Sequence, residues 1–371
     1  MNIQITKKAL TGALSHLTRI VPSRSSNTAL TALVMRAGPS GLILAGTNLE
    51  VDMELTLDAD MPMGAQGGPW LVPAHLFAAI VGKAPGQLVD LRVQDKTLHV
   101  SSGGNTTKIQ LGDPETAATF TLADHAAGTP IAARDLLASV TSTTYASQAE
   151  AFQSVFRGML LDFTAQATRV VTSDGYRVAV RDIAPIPELA GQKLIVPRRS
   201  IEEVARQLDT DREVRVQFAP GLLHVTRPDA RLSVKLIDGD FPDYERIIPK
   251  NITLTATLSG AALIEALDRV SVLADKTANN RVELTFADGR IALLAEGDYG
   301  TAQDVVDAAL TGSEPRMLIA VNAAHTMQAI KQMVSTGSGD VQVGLSNSTS
   351  PLVWRATGDA GQLAVHVALK V

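Results

Sequence analysis

The sequence contains no cysteine, which excludes disulfide bonds, thiolate metal sites and cysteine nucleophiles. No apolar run approaches the roughly 20 residues of a membrane-spanning helix, and the opening "MNIQITKKAL" lacks the apolar core of a signal peptide. A GxxxxGK phosphate loop and an HExxH zinc motif are also missing, and the seven histidines show no ligand spacing. We therefore expect a cytoplasmic protein that needs no membrane, cofactor or metal.

What the chain does contain is an ordinary globular composition. Of its 371 residues, 45% are apolar and 19% are charged, and this length predicts two or three domains. The formal net charge is −5, which argues against nucleic-acid binding by a uniform surface. A surface on which basic residues are segregated to one side is still compatible with such binding.

The chain reads as a threefold repeat. The segments "GPWLVPAHLFAAIVGKA", "GQKLIVPRRSIEEVARQL" and "PRMLIAVNAAHTMQAIKQM" each predict a short strand followed by an amphipathic helix. Val72, Val196 and Val321 hold the same place in the three segments, about 124 residues apart, which is one third of the chain. A single repeated unit therefore explains the whole length.

Three further element types recur in the same register. Each repeat opens with a helix, as in "ITKKALTGALSHLTRIVPS", and contains a hairpin, as in "TRVVTSDGYRVAVRD". Each closes on a second hairpin, as in "LHVTRPDARLSVKL". We predict an α+β protein of three repeated domains, each with two helices and several antiparallel strands. The predicted domains span residues 1–125, 126–253 and 254–371.

The second junction, "IDGDFPDYERIIPK" at residues 237–250, is unusual for a linker. It holds Phe241 and Tyr244, although aromatic residues make up only 4% of the protein. Pro242 and Pro249 disfavour a helix or a central strand here. We predict an extended connector whose side chains serve a further purpose.

Together these features resemble the bacterial sliding clamps, the beta subunits of DNA polymerase III. The resemblance covers the whole chain and is carried by the triple repeat, by "TSDGYRVAV" and by "DGDFPDYERIIP" about 65 residues later. It implies a homodimeric ring of six domains, with helices lining the hole and strands outside. Such a ring encircles duplex DNA, tethers the replicative polymerase and performs no catalysis.

The resemblance implies a sequence-independent DNA surface on the helices. In the first helix Leu10, Leu14 and Leu17, with Ala13, form an apolar stripe, and the basic residues point the opposite way. In "PRRSIEEVARQL" three arginines face outward with Glu202 and Glu203 mixed among them. The candidate DNA-binding residues are Lys8, Arg19, Arg24, Arg198, Arg199 and Arg206.

The resemblance also implies a groove between domains two and three that binds short peptide motifs of the polymerase, the clamp loader and repair proteins. Family members often have histidine at the position of Tyr176 and a Met-Pro-Met-Arg-Leu ending, so we expect this chain's peptide preference to differ. The residues carried over by position are Phe156, Ser173, Gly175, Tyr176, Arg177, Val178, Pro242, Arg246, Ile247, Val365, Val367, Ala368, Leu369, Lys370 and Val371.

For ring closure, Val272 points away from the core stripe of its helix, Leu263, Ala266, Leu267, Val270 and Ala274, with Leu273 on the flank. The resemblance implies that both contact domain one of the partner, where Ile80 and Ile109 hold the matching positions.

Two other functions remain open on the residues alone. An enzyme could use Asp174 beside Tyr176 and Arg177, although a tight turn explains that aspartate more simply. A three-repeat scaffold could bind peptides without encircling DNA, and it would be a monomer.

Overall fold

The three predicted repeats share one order of elements in the computed structural model, with one additional strand in the third, and the structure describes residues 2–62, 66–148, 153–208 and 211–370. The first repeat comprises β1 (Asn2–Thr6), α1 (Lys7–Ile20), β2 (Ala32–Gly38), β3 (Gly41–Thr47), β4 (Val51–Leu57), β5 (Gly67–Pro73), α2 (Ala74–Gly82), β6 (Leu88–Gln94), β7 (Thr97–Ser102) and β8 (Asn105–Gln110). The second comprises β9 (Thr129–Ile131), α3 (Ala133–Thr143), β10 (Gly158–Phe163), β11 (Thr168–Ser173), β12 (Arg177–Ile183), β13 (Lys193–Pro197), α4 (Arg198–Leu208), β14 (Val214–Ala219), β15 (Leu222–Arg227) and β16 (Ala230–Lys235). The third comprises β17 (Leu254–Ser259), α5 (Gly260–Ser271), β18 (Arg281–Ala287), β19 (Arg290–Gly297), β20 (Gly300–Asp307), β21 (Ala309–Gly312), β22 (Met317–Asn322), α6 (Ala323–Thr336), β23 (Asp340–Leu345), β24 (Leu352–Ala356) and β25 (Asp359–His366).

The predicted helices and hairpins are confirmed in each repeat. The strand–helix segments are β5–α2, β13–α4 and β22–α6, and the opening helices are α1, α3 and α5. The predicted hairpins are β3–β4, β11–β12 and β19–β20 in the middle of each repeat, and β7–β8, β15–β16 and β24–β25 at its end.

Side-chain caps explain where three of the helices begin. Thr6 accepts a hydrogen bond from the backbone N–H of Ala9 at the start of α1, and Ser259 caps α5 in the same way. Asn322 Oδ1 accepts from the backbone N–H of His325 at the start of α6. Such caps satisfy N–H groups that have no partner within the helix.

The chain forms two compact units, and the division falls inside α4. One unit contains residues 1–133 and 202–236, the other residues 134–201 and 237–371. Within its described residues the first unit has a four-stranded sheet, β1-β6-β7-β8, and an eight-stranded sheet, β5-β2-β3-β4-β16-β15-β14-β9. The second unit, over its own described part, has a nine-stranded sheet, β13-β10-β11-β12-β25-β24-β23-β17-β21, and a four-stranded sheet, β20-β19-β18-β22.

The two long sheets each join strands of consecutive repeats. In the first unit β4 pairs antiparallel with β16, and in the second unit β12 pairs antiparallel with β25. Both junctions therefore join the middle hairpin of one repeat to the closing hairpin of the next. The sequence predicted the hairpins but not these junctions.

The predicted apolar stripes lie in the cores. Leu10, Ala13, Leu14 and Leu17 of α1 are buried, as are Leu263, Ala266, Leu267 and Val270 of α5 and the following Ala274. The helices pack in pairs, α1 with α2 and α5 with α6. Within the described residues, none of the helices has the length and apolar character needed to cross a membrane.

Candidate functional site

The connector at residues 237–250 is packed onto its own unit through its aromatic side chains. Tyr244 is buried in an apolar cluster on the nine-stranded sheet, whose other buried members are Leu160, Val171, Val178, Val180, Ile195, Val353 and Val365. The Phe241 ring meets those of Phe156 and Tyr244 edge-on, with centroids 6.0 and 6.5 Å away. The predicted extended course is interrupted by one 3₁₀ turn, Tyr244–Ile247, because the buried Tyr244 draws the chain towards the sheet.

Polar contacts hold the same connector from one side. Arg169 pairs with Asp182 at 2.6 Å and with Glu245 at 2.6 Å, and its Nη1 donates to the Tyr244 hydroxyl over 3.3 Å. Burial raises the pKa of Tyr244, against the opposing effect of Arg169, so the phenol stays protonated. The connector therefore presents one fixed surface rather than a loose loop.

The outward side chains of the connector are those predicted for a groove. Pro242 is exposed and Ile247 is 38% exposed. Arg246 forms an exposed ion pair with Asp243 at 2.8 Å. Phe156 is half-buried beside Phe241. We call these four residues of the second unit the connector surface.

Two predicted contact residues lie beneath that surface. Val178 is 3% exposed and Val365 is 0% exposed, because they face each other across the β12–β25 pair under the connector. Their assignment to the peptide-binding site stays a prediction. Their side chains form the floor that supports the connector.

The turn "SDGY" before β12 is built around Asp174, as expected for a tight turn. Asp174 Oδ1 accepts from the backbone N–H groups of Tyr176 and Arg177 at 3.0 and 3.1 Å, and buried Ser173 accepts from that of Gly175 at 3.1 Å. Gly175 has a φ of 91°, which favours glycine. The turn leaves Tyr176 68% exposed at its tip.

Arg177, a predicted peptide-binding residue, is buried, and its guanidinium makes three hydrogen bonds within the second unit. Its Nε donates to Asp174 Oδ2 at 2.9 Å, Nη1 to Gln328 Oε1 at 2.5 Å and Nη2 to the Tyr145 carbonyl at 2.8 Å. The guanidinium also lies over the Tyr145 ring, 5.4 Å from its centroid. Period-two alternation turns Arg177 inward once Tyr176 points outward.

The C-terminal segment continues from β25 across the second unit. The Val367 N–H donates to the Tyr176 carbonyl at 3.0 Å, and the Leu369 N–H donates to the Ala320 carbonyl at 2.8 Å. Arg281 Nε donates to the Lys370 carbonyl at 2.8 Å. Ala368 packs, half-buried, against the core that contains α5 and α6. Val371 lies outside the described residues.

A cavity of about 190 Å³ lies beside this segment. Tyr176, Val367 and Leu369 line it, as the sequence predicted for a binding site. The sequence analysis missed the remaining lining residues, Gln148, Asn279, Asn322, His325 and His366. One signal was available, since His366 interrupts the apolar alternation of "LAVHVAL". The other four lie in separate elements that only the fold brings together.

The candidate DNA-binding residues differ in solvent exposure and in ion pairing. Lys8, Arg19 and Arg24 are exposed, and Lys8 and Arg19 lie opposite the buried stripe of α1. Arg199 is exposed and Arg198 half-buried at the start of α4. Arg206 instead forms an ion pair with Glu203 and lies 3.8 Å from Glu202.

Glu203 is buried, contrary to the expectation that it faces outward, because it lies on the inner edge of the α4 stripe. Burial raises the pKa of Glu203, and Arg206 and Arg19 oppose that shift. The charge of Arg206 is therefore compensated by carboxylates of its own helix, and its assignment as a phosphate contact stays a prediction.

The candidate interface residues lie at two separate places. In the first unit Ile80 lines a cavity of about 180 Å³ with Val100 and Thr107. Ile109 is 2% exposed within β8, so its side chain is buried in the first unit, and its place at a partner interface stays a prediction. Leu76 and Leu88, which the sequence analysis missed, are exposed in the same unit.

In the second unit Val272 is 80% exposed at the end of α5, and Leu273 is half-buried. The β19–β20 turn packs closely against this helix end, because a Cβ at Gly297 would lie 2.3 Å from the Leu273 carbonyl oxygen. Tyr299 in that turn is 95% exposed and Val305 of β20 is 51% exposed. The two were not predicted. Asp304 pairs with Arg269 of α5, so the neighbouring Val305 lies on the face of β20 that points away from this helix.

Three family models match consecutive parts of the chain. They describe the N-terminal, central and C-terminal domains of the DNA polymerase III beta subunit and match residues 1–124, 131–243 and 245–370. A beta sliding clamp of Pseudomonas putida is 26% identical over 364 residues, which is 97% of each chain. The three clamp domains and their order are thus confirmed.

Solved structures show the same fold. The chain is similar to the DNA polymerase III subunit beta of Pseudomonas aeruginosa, with a TM-score of 0.92, 23% identity and 100% of both chains covered. It is also similar to a sliding clamp of that organism bound to griselimycin, with a TM-score of 0.91 and 24% identity, again over 100% of both chains.

Proposed function

The chain belongs to the DNA polymerase III beta subunit family, the non-catalytic sliding clamps of replication, and we propose that it forms a homodimeric ring around duplex DNA. In this role the ring tethers the replicative polymerase and recruits the clamp loader and repair proteins in the cytoplasm. We keep the domain boundaries 1–125, 126–253 and 254–371 as part of the proposal.

The observation that carries the ring is the pattern of sheet junctions. The middle hairpin of repeat one joins the closing hairpin of repeat two through β4 and β16, and repeats two and three join through β12 and β25. β20 holds in repeat three the place of β4 and β12, and β8 holds in repeat one the place of β16 and β25. Among the described strands neither pairs with another repeat, and each has one neighbour in its sheet. Applying the same rule once more pairs β20 of one chain with β8 of a second copy. Two such junctions close six repeats into a ring and leave neither edge open.

Exposed apolar side chains near both strands support this junction. Val272, Tyr299 and Val305 lie on or beside β20, and Ile80 lines a cavity that also involves residues of β7 and β8. Large exposed aliphatic and aromatic side chains at a sheet edge are typical of interfaces. We propose Ile80, Val272 and Leu273 as contact residues, with β8 itself supplying the backbone pairing.

The DNA contact that we propose uses the free basic residues on the helices, Lys8, Arg19, Arg24, Arg198 and Arg199. Each would contact phosphate, which carries no base identity and weakens with salt. Weak contacts suit sliding, because the ring is retained by topology. The local neutralisation of Arg206 is consistent with that requirement.

The peptide groove that we propose lies on the second unit, between the connector surface and the cavity beside the C-terminal segment. Phe156, Tyr176, Pro242, Arg246 and Ile247 form its exposed parts, with Gly175 at the turn. Val367, Ala368, Leu369, Lys370 and Val371 supply the terminal segment. A groove with apolar side chains at the connector and polar side chains in the cavity suits an extended peptide with aliphatic or aromatic anchors.

One experiment tests the ring directly. The native mass of the purified protein should be twice that of the chain, and protein loaded on nicked circular DNA should be retained until the DNA is linearised. Retention that survives linearisation would mean direct binding instead of encirclement. A monomer under all conditions would favour the peptide-binding scaffold.

A further inference from the structure

Glu203 is a buried carboxylate on α4, the helix that carries Arg206. Its Oε1 accepts a hydrogen bond from Arg206 Nη1, and its Oε2 has no hydrogen-bond partner within the part of the chain that the structure describes. Ser200, Glu203 and Gln207 form a buried polar stripe at helical spacing beside the apolar stripe of this helix. Because a buried carboxylate is costly unless it is paired, Glu203 depends on Arg206.

Arginines of two helices in the first unit act on this carboxylate. Burial raises the pKa of Glu203, and Arg206 of α4 and Arg19 of α1 oppose that shift. Near them, burial and then the charges of Arg19, Arg227 and Arg206 lower the pKa of His16, so this ring is neutral at pH 7. The carboxylate therefore relies on the two arginines to stay ionised.

Arg206 is divided between this buried partner and the solvent. Its side chain is 33% exposed, and its Nη2 lies 3.8 Å from the exposed Glu202. A guanidinium binds a phosphate or a carboxylate most strongly through two parallel hydrogen bonds. To bind a phosphate in this way, Arg206 has to release Glu203 and leave a buried carboxylate without its counter-charge. The helix thus carries an arginine that is held back from a close phosphate contact.

We propose that Glu203 is a positioning residue of the DNA surface, which restrains Arg206 and so removes one close phosphate contact from the first unit. The inference rests on the proposed DNA-encircling function. The ion pair has no net charge, so it adds little attraction to the DNA backbone. It also adds no short hydrogen bond that would have to break at each step of sliding. Glu203 therefore sets the strength of the DNA contact without touching DNA.

The test is the isosteric variant Glu203→Gln, with binding of the full-length protein to a linear duplex oligonucleotide measured over a series of salt concentrations. Releasing Arg206 should add one phosphate contact. The slope of the logarithm of the binding constant against the logarithm of salt concentration should become steeper by about 0.9, and the affinity at about 0.1 M salt should rise about eightfold.

Glu202→Gln is the matched control, because it removes the same charge from the same helix at an exposed position. It should leave the slope unchanged and alter the affinity by less than about twofold, since exposed ion pairs contribute little. Equal slopes for Glu203→Gln and Glu202→Gln would overturn the inference.

Two further variants identify the released group and guard against misfolding. Glu203→Gln combined with Arg206→Ala should bind DNA with the wild-type slope, because the freed contact is removed together with its restraint. A steeper slope that persists in this double variant would also overturn the inference. Glu203→Met replaces the carboxylate by an apolar side chain of similar length and should match Glu203→Gln, so the result does not depend on the folding of one variant.

The ring itself is tested separately on nicked circular DNA. If the wild type is retained until linearisation while Glu203→Gln leaves the salt slope unchanged, this inference alone fails. If the wild type is released without linearisation, the proposed ring fails and the inference fails with it.

Discussion

Arg177→Ala should destabilise the second unit strongly, because it leaves a buried carboxylate without its counter-charge. The Arg177 side chain is 6% exposed and that of Asp174 is 0% exposed. Removing one member of a buried ion pair costs about 3–5 kcal/mol. The matched control is Arg246→Ala, since Arg246 and Asp243 form a pair with 84% and 57% exposed side chains. An exposed pair contributes about 0–1 kcal/mol.

The chain offers a convenient probe of this unit. Of its two tryptophans, Trp354 is fully buried in the core of the second unit and Trp70 belongs to the first. In a Trp70→Phe background, urea unfolding followed by fluorescence therefore reports the second unit. With a slope of about 1–3 kcal/mol per molar urea, Arg177→Ala should lower the midpoint by about 1 M or more.

The cause is separable from loss of packing. Adding Asp174→Asn removes the orphaned charge but keeps the amide oxygen that caps the turn, so the double variant should regain part of the lost stability. If Arg177→Ala unfolds at the same urea concentration as Arg246→Ala, the buried Arg177–Asp174 ion pair does not contribute to stability. If Asp174→Asn restores nothing, the unpaired charge is not the reason for the loss.

Three other predictions test the interface, the DNA surface and the buried histidine. The double variant Val272→Asp, Leu273→Asp should weaken dimerisation by about a hundredfold or more, because burying each aliphatic side chain contributes about 1.5–3 kcal/mol. It should leave a folded monomer that still binds peptide. Sedimentation that finds a dimer at low concentration would place the interface elsewhere. Charge reversal of Arg24, Arg198 and Arg199 should weaken DNA binding without changing sequence preference. The slope of the logarithm of the binding constant against the logarithm of salt concentration should become shallower by about 0.9 per lost phosphate contact. Wild-type affinity at low and moderate salt would identify these arginines as ordinary solvated residues. The pKa of His366 falls from 6.5 to about 3 on folding, so between these pH values the unfolded chain binds a proton that the folded chain does not. The free energy of unfolding should therefore decrease as the pH falls through this range, by up to about 1.4 kcal/mol per pH unit. His366→Val should remove this contribution to the pH dependence measured by urea titration, and an unchanged pH dependence would refute the assignment.

The repeated architecture could be predicted because its signals are local. Val72, Val196 and Val321 are each fully buried in the strand before a helix, as the periodicity indicated. Hairpins and amphipathic helices depend on neighbours within about 15 residues, which the sequence displays directly. The order of elements followed from these signals alone.

The differences from the sequence-based expectations arise from contacts that strand alternation and a helical wheel do not show. Ile109 and Val365 lie on strands whose burial depends on which sheet covers them, and that partner is distant in sequence. Arg206 was assigned by its place on a helical wheel, which does not reveal the ion pair with Glu203. The cavity residues Asn279 and His325 come from separate elements and share no motif.

Asp174 shows how a locally predictable residue acquires a role that only the fold reveals. As a turn residue it binds the backbone of Tyr176 and Arg177, and as a counter-ion it allows the Arg177 guanidinium to be buried. The guanidinium then faces His366 across the strand pair and helps to keep that ring neutral. Arg177→Ala should therefore raise the pKa of His366 as well as destabilise the unit.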